Sequence, residues 1–260
     1  HEGRFYICFV ANDTRKTYLY TSEKIDGPWK KQLIEGFYHD GSLLFDEDGR
    51  NYIVYGNDEI WITELNEDLT APKKDGLHRL LVSDHKNPEL GYEGSHIQKI
   101  NGYYYIFLIH SLRDRWMRTE ACFYSDSLEG EFTGGDVLCD DRGYCGQGVA
   151  QGGIVDTPDG KWYAMLFQDS GAVGRIPILL PVTWKDHFPV FGQNGHVPEE
   201  IEVHSTRPGY IYQPLVGSDD FCNGLLPRWQ FNHDPDPRYY HLDALQGTYT
   251  ITHREVCTEL

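Results

Sequence analysis

Cations are scarce in this chain of 260 residues: 23 lysines and arginines stand against 40 aspartates and glutamates, a formal net charge of −17. Such a surface repels phosphate backbones and anionic lipid, which argues against nucleic-acid and membrane-surface partners; a neutral ligand such as a sugar is unaffected. Long apolar runs are missing as well. IPILLPV and YYYIFLI are far shorter than the roughly 20 residues that cross a bilayer. No charged segment followed by an apolar one opens the chain at His1, so a signal peptide is absent or removed, which favours a cytoplasmic location and leaves secretion open. The six cysteines (Cys8, Cys122, Cys139, Cys145, Cys222, Cys257) form no CxxC pair, and the twelve histidines form no HExxH. Free thiols are therefore expected rather than disulfides, and no zinc centre. Helical periodicity is lacking too, because glycine and proline interrupt the chain every few residues.

What is present is a repeat. HEGRFYICF, EDGRNYIVYG, INGYYYIFLIH and PDGKWYAMLFQD share a glycine, two residues, then tyrosine and an apolar strand. The glycines are Gly3, Gly49, Gly102 and Gly160, the tyrosines Tyr6, Tyr52, Tyr105 and Tyr163, at intervals of 46, 53 and 58 residues. A glycine in a polar turn supplies the positive φ of a hairpin, and the interval suits one four-stranded propeller blade. SEKIDGPW (Ser22 to Trp29) and SDSLEGEF (Ser125 to Phe132) repeat a second pattern 103 residues apart, two units of the same ladder. An all-β propeller follows, with 40% hydrophobic and 24% charged residues placing the chain among folded globular proteins.

Nine residues before Gly49, Gly102 and Gly160 stand Asp40, Glu93 and Gln151, in HDGSLLF, YEGSHIQ and AQGGIVD. The first strand of each propeller blade lines the central channel, so these side chains are expected to converge near the axis. Two carboxylates and an amide around one cavity suit glycoside hydrolysis, where a protonated acid serves the leaving oxygen and a second carboxylate activates water or attacks the sugar. Crowding also raises the pKa of one carboxyl and keeps it protonated.

HDGSLLFDEDGRNYIVYG, YEGSHIQKINGYYYIF and GVAQGGIVDTPDGKWYAMLFQD resemble successive blade motifs of glycoside hydrolase family 43, five-bladed propellers that are inverting β-xylosidases and α-L-arabinofuranosidases. GRIPILLPVTW resembles the next strand of that branch, and the likeness runs from His1 to about Arg207. The resemblance implies that Glu93 is the general acid and that Asp40 tunes and orients it, with Ser95 and Gly41 where the family more often has proline. It implies substrate binding by Arg175 and puts Gln151 where many members carry a channel histidine able to hold a cation. Calcium there is an expectation weakened by the amide; no cofactor is required. His96 of the same block, with Trp116 and Arg118 of HSLRDRWMRTEACF, completes the candidate sugar-binding set.

The resemblance also implies that the general base, an aspartate of the first blade, lies upstream of this chain, and that blade one and part of blade two are missing from it. Residues 1–207 are expected to be the propeller, 208–217 a linker, and 218–260 the opening of a β-sandwich cut short. Trp229 and HDPDPRYYH read as a domain-start loop, and Tyr103 to Tyr105 as packing between blades. The function expected is release of xylose or arabinose from plant cell-wall oligosaccharides, with oligomeric state open. The rivals are a carbohydrate-binding propeller without turnover, a β-fructosidase propeller acting with retention, and a WD-repeat interaction propeller, whose Gly-His and Trp-Asp punctuation is absent.

Overall fold

The computed structural model describes all residues except 204–206, 212–213, 215–216, 227–228, 230–235 and 253–260. It divides into two compact units, His1–Ile201 and Glu202–Leu260. The first consists of antiparallel sheets laid down in chain order. A three-stranded sheet holds β1 (Phe5–Ala11), β2 (Lys16–Ser22) and β3 (Lys30–Ile34). Three four-stranded sheets follow. They are β4 (Ser42–Phe45), β5 (Asn51–Asn57), β6 (Glu59–Leu65) and β7 (His78–Ser83); then β8 (Glu93–Ile100), β9 (Tyr103–Ser111), β10 (Arg118–Ser125) and β11 (Thr133–Leu138); then β12 (Ala150–Asp156), β13 (Trp162–Asp169), β14 (Arg175–Lys185) and β15 (Phe188–Phe191). This is the all-β propeller that the glycine ladder predicts, each sheet one blade.

The repeated glycines turn the hairpins at φ of 72°, 82°, 84° and 80° for Gly3, Gly49, Gly102 and Gly160, where a side chain would strain the backbone. After each turn the pleat sends alternate residues to opposite faces. In β9 Tyr104, Ile106 and Leu108 enter the core shared with β4–β7, whereas Tyr105 and Phe107 enter the core shared with β12–β15. A strand buried on both faces must be apolar throughout, which is why YYYIFLI lacks alternation. Tyr104 and Tyr105 pack between blades in this way. Phe107 is fully buried. Phe107→Ala should cost about 3–5 kcal/mol in guanidinium unfolding; a loss near zero would contradict an interblade core centred on β9.

The first sheet breaks the pattern. Ile53 in β5, Tyr104, Ile106 and Leu108 in β9, and Ala164 and Leu166 in β13 pack on the preceding blade. Their counterparts Phe5, Ile7 and Phe9 are 43%, 47% and 43% exposed. The second repeat behaves alike: Leu128 and Phe132 are buried against β4–β7, and Ile25, the counterpart of Leu128, is 71% exposed. Contiguous apolar surface of this kind marks an interaction face.

The second unit contains a hairpin, β16 (Tyr240–Asp243) with β17 (Thr248–Ile251). Within it Trp229 donates Nε1–H to Asp219 at 2.8 Å and lies against Phe221 and Tyr249. Of the stretch HDPDPRYYH, residues 233–235 lie outside the described residues. Among the described residues Cys8, Cys122, Cys139, Cys145 and Cys222 are free thiols.

Candidate active site

The site gathers where the inner strands of the blades begin. Asp40 precedes β4, Glu93 opens β8 and Gln151 is the second residue of β12. Two of these starts are bulged. Gly94 and Ser95 together oppose Leu108, between the pairs Glu93↔Ile109 and His96↔Phe107. Gln151 and Gly152 oppose Leu166, between Ala150↔Phe167 and Gly153↔Met165. An extra residue bends a strand and re-aims the side chains beside it. Left-handed φ values mark the bends: 47° at Asp40, 67° at Gly94 and 64° at Gln151. Glycine suits the bend, because a Cβ there would lie 2.7 Å from Cγ of Gln151 and force that side chain to shift.

These bends bring the polar ends together. Oxygen or nitrogen atoms of His39, Asp40 and Glu93 all lie within 4.8 Å of one another, with His39 Nε2 3.7 Å from each carboxylate. The Gly94 N–H donates to Asp40 Oδ2 at 3.1 Å, and Asn57 Nδ2 donates to Glu93 Oε2 at 2.7 Å. Burial, then the neighbouring Asp40 charge, hold the Glu93 carboxyl above the usual range, while His39 and Arg118 pull it down. A carboxyl so placed is suited to give up a proton near neutrality. His96 is open to solvent but crowded by protein. That crowding pushes its imidazole below the usual range, and Asp40 pulls the other way.

A second cluster forms where β10, β13 and β14 meet. Arg118, 4% exposed, is hydrogen-bonded to Asp169, and Arg175 lies 3.4 Å from the same carboxylate. Both guanidiniums sit over the Phe167 ring, at 4.8 and 4.5 Å. One carboxylate and one ring thus fix two planar donors, an arrangement able to hold sugar hydroxyls. Trp116 is 41% exposed in the loop before β10, beside Gly146.

Asp40 and Glu93 thus come together as the repeat predicts, with Gln151 packed on the intervening Gly94 and His96 within the field of Asp40, while Arg118 and Arg175 pair through Asp169. Sequence reading missed His39, Asn57, Phe167 and Asp169. A signal existed: Asn57, His110 and Gln168 stand eight residues after their repeat glycines, a second polar position at the far end of each blade's second strand. Asn57→Ala should lower kcat/KM about 10-fold by removing the hydrogen bond that orients the Glu93 carboxyl; an unchanged value in steady-state kinetics would leave Asn57 without a part in the site.

The fit of a cation is poor. Gln151 is packed on Gly94, and the carboxyl beneath it, Glu120, is fully buried and held well above its usual range by that burial, whereas calcium takes six to eight oxygens. A cation among His39, Asp40 and Glu93 would favour the ionised Glu93 carboxylate, against the upward shift that burial and Asp40 give it.

Residues 1–189 match the model of the family described as glycosyl hydrolases family 43. The chain belongs to that family. Its structure is similar to a bifunctional GH43-CE protein of Bacteroides eggerthii, 41% identical, with a TM-score of 0.83 over 100% of this chain and 34% of that one. It is 26% identical to a β-xylosidase of Formosa agariphila over 95% of this chain and 47% of the relative. It is 23% identical to a non-reducing end α-L-arabinofuranosidase of Bacteroides ovatus over 96% of this chain and 50% of the relative. The chain therefore spans about half the length of the curated relatives it matches.

Proposed function

We propose that the protein is an exo-acting O-glycosidase that removes xylose or arabinose from plant cell-wall oligosaccharides. The observation that carries this reading is the Glu93 carboxyl set within 4.8 Å of Asp40 and His39 and held above its usual range by burial and by Asp40. Glu93 delivers its proton to the glycosidic oxygen as the bond to the anomeric carbon breaks. Asp40 keeps that proton in place at neutral pH and, through the Gly94 N–H, holds the bend that aims Glu93. Arg118, Arg175 and Phe167 receive the sugar, with His96, Gln151 and Trp116 bordering it. The β-xylosidase and arabinofuranosidase relatives support these two sugars.

Asp40 is too near to be the base. An inverting acid and base stand roughly 6.5–9.5 Å apart to admit water, and the Asp40 and Glu93 oxygens lie within 4.8 Å. The water-activating carboxylate is accordingly proposed to come from residues outside this chain, on a blade packed against the open face of Phe5, Ile7 and Phe9. The same short separation favours a second reading, since retaining pairs stand about 5–5.5 Å apart; Asp40 would then be the nucleophile.

Release of 4-nitrophenol from β-D-xylopyranoside and α-L-arabinofuranoside by the full-length protein, beside Glu93→Ala, tests both, with NMR following the first anomer formed. Inverted product lost in the variant is the expected result. Retained product would transfer the nucleophile's role to Asp40. Sugar binding without release would make this a binding propeller.

A further inference from the structure

Glu120 in β10 is fully buried, although leucine would fill the same volume without the cost of burying a carboxyl. Its Oε2 accepts the Gln151 N–H at 2.7 Å, and Oε1 has no partner among the described residues. Burial pushes the carboxyl well above the usual range; the Gln151 N–H and Arg118 oppose that rise.

What Glu120 bonds is a residue under strain. Gln151 adopts φ 64°, a region that costs a non-glycine residue about 1 kcal/mol or more. In that conformation its side chain covers the Cα of Gly94, next to Glu93. The arrangement repeats between blades. Asp40, on the blade before Gly94, accepts the N–H of left-handed Gly94. Glu120, on the blade before Gln151, accepts the N–H of left-handed Gln151. Both bulged inner strands, β8 and β12, are thus pinned by a carboxyl of the preceding blade.

We propose that Glu120 is a positioning residue for the glycosidase site: it clamps Gln151 in the left-handed conformation, and Gln151, seated on Gly94, fixes the bend that aims Glu93 at the glycosidic oxygen. The proposal rests on the glycosidase reading above. It adds a residue that touches no sugar and that acts across a blade interface through two backbone bends.

Glu120→Gln keeps an accepting oxygen and the shape of the neutral acid, whereas Glu120→Leu keeps only the volume. Hydrogen exchange at the Gln151 amide and the pH profile of aryl-glycoside hydrolysis separate them. Glu120→Leu is expected to speed Gln151 exchange and to lower kcat, each about 10-fold. KM should change little, and the alkaline limb should move to lower pH as Glu93 loses its fixed place beside Asp40. Glu120→Gln should match the parent in every respect. If Glu120→Leu does not fold, Glu120→Asp, one methylene too short to reach, is expected to lose the Gln151 protection instead. Parent-like exchange and pH profile in the leucine variant would overturn the proposal, as would equal damage from both substitutions. Exchange needs no turnover, so a full-length parent that hydrolyses neither aryl glycoside sinks the glycosidase reading, and the exchange rates then decide the clamp alone.

Discussion

Glu93→Gln is expected to lower kcat by about 10²–10⁴-fold on aryl glycosides whose phenol is a poor leaving group. On 2,4-dinitrophenyl glycosides the loss should shrink to a few-fold, because that anion departs without a proton. A general acid produces this dependence on the leaving group; a residue that only shapes the channel would depress all substrates alike. The same variant should gain stability. A carboxyl raised in the folded state contributes stability that is complete below its unfolded pKa and lost as pH rises through the folded one. Glu93 is raised by burial and Asp40, so its ionisation opposes folding at neutral and higher pH. Glutamine can still accept from Asn57 and never ionises. Thermal unfolding at pH 5 and pH 8 should therefore show a gain for the variant that is larger at pH 8; no gain at pH 8 would mean that Glu93 is not held up in the fold.

Asp40→Asn removes the negative charge that helps to raise Glu93 while leaving an oxygen to accept the Gly94 N–H at the 3.1 Å site. Without that charge Glu93 ionises at lower pH, the protonated fraction at neutral pH falls, and the alkaline limb of kcat/KM moves toward acid. A loss on the order of 10²-fold in kcat at pH 7, partly recovered on acidification, is the expected outcome. A loss that is equal at every pH would assign Asp40 a different task, such as attack on the anomeric carbon.

The blades were legible because their markers are local: a glycine turn followed by an aromatic strand fixes one hairpin at a time. Asp40 and Glu93 were legible for the same reason, standing at one distance from that turn. What was not legible depends on pairs far apart in the chain. Gly94 reads as an odd residue after an acid, and only Gln151, 57 positions on, shows that a Cβ there has no room. Asn57 is an ordinary strand end until a bulge in the next blade turns Glu93 toward it. Glu120 sits in TEACFY, a stretch that looks like any alternating strand, and the bond to Gln151 crosses from one blade to the next. The open face of Phe5, Ile7 and Phe9 is likewise invisible in composition. It emerges only when the counterparts of Ile7 in the other three blades, Ile53, Ile106 and Ala164, are found fully buried.

Asp40 and burial are proposed to keep Glu93 protonated for delivery to a glycosidic oxygen. A carbon-13 NMR titration of the Glu93 carboxyl, in this chain and in Asp40→Asn, tests it without turnover. The Glu93 midpoint is expected above that of an exposed glutamate, falling when Asp40 becomes asparagine. An ordinary midpoint, the same in both proteins, would contradict it.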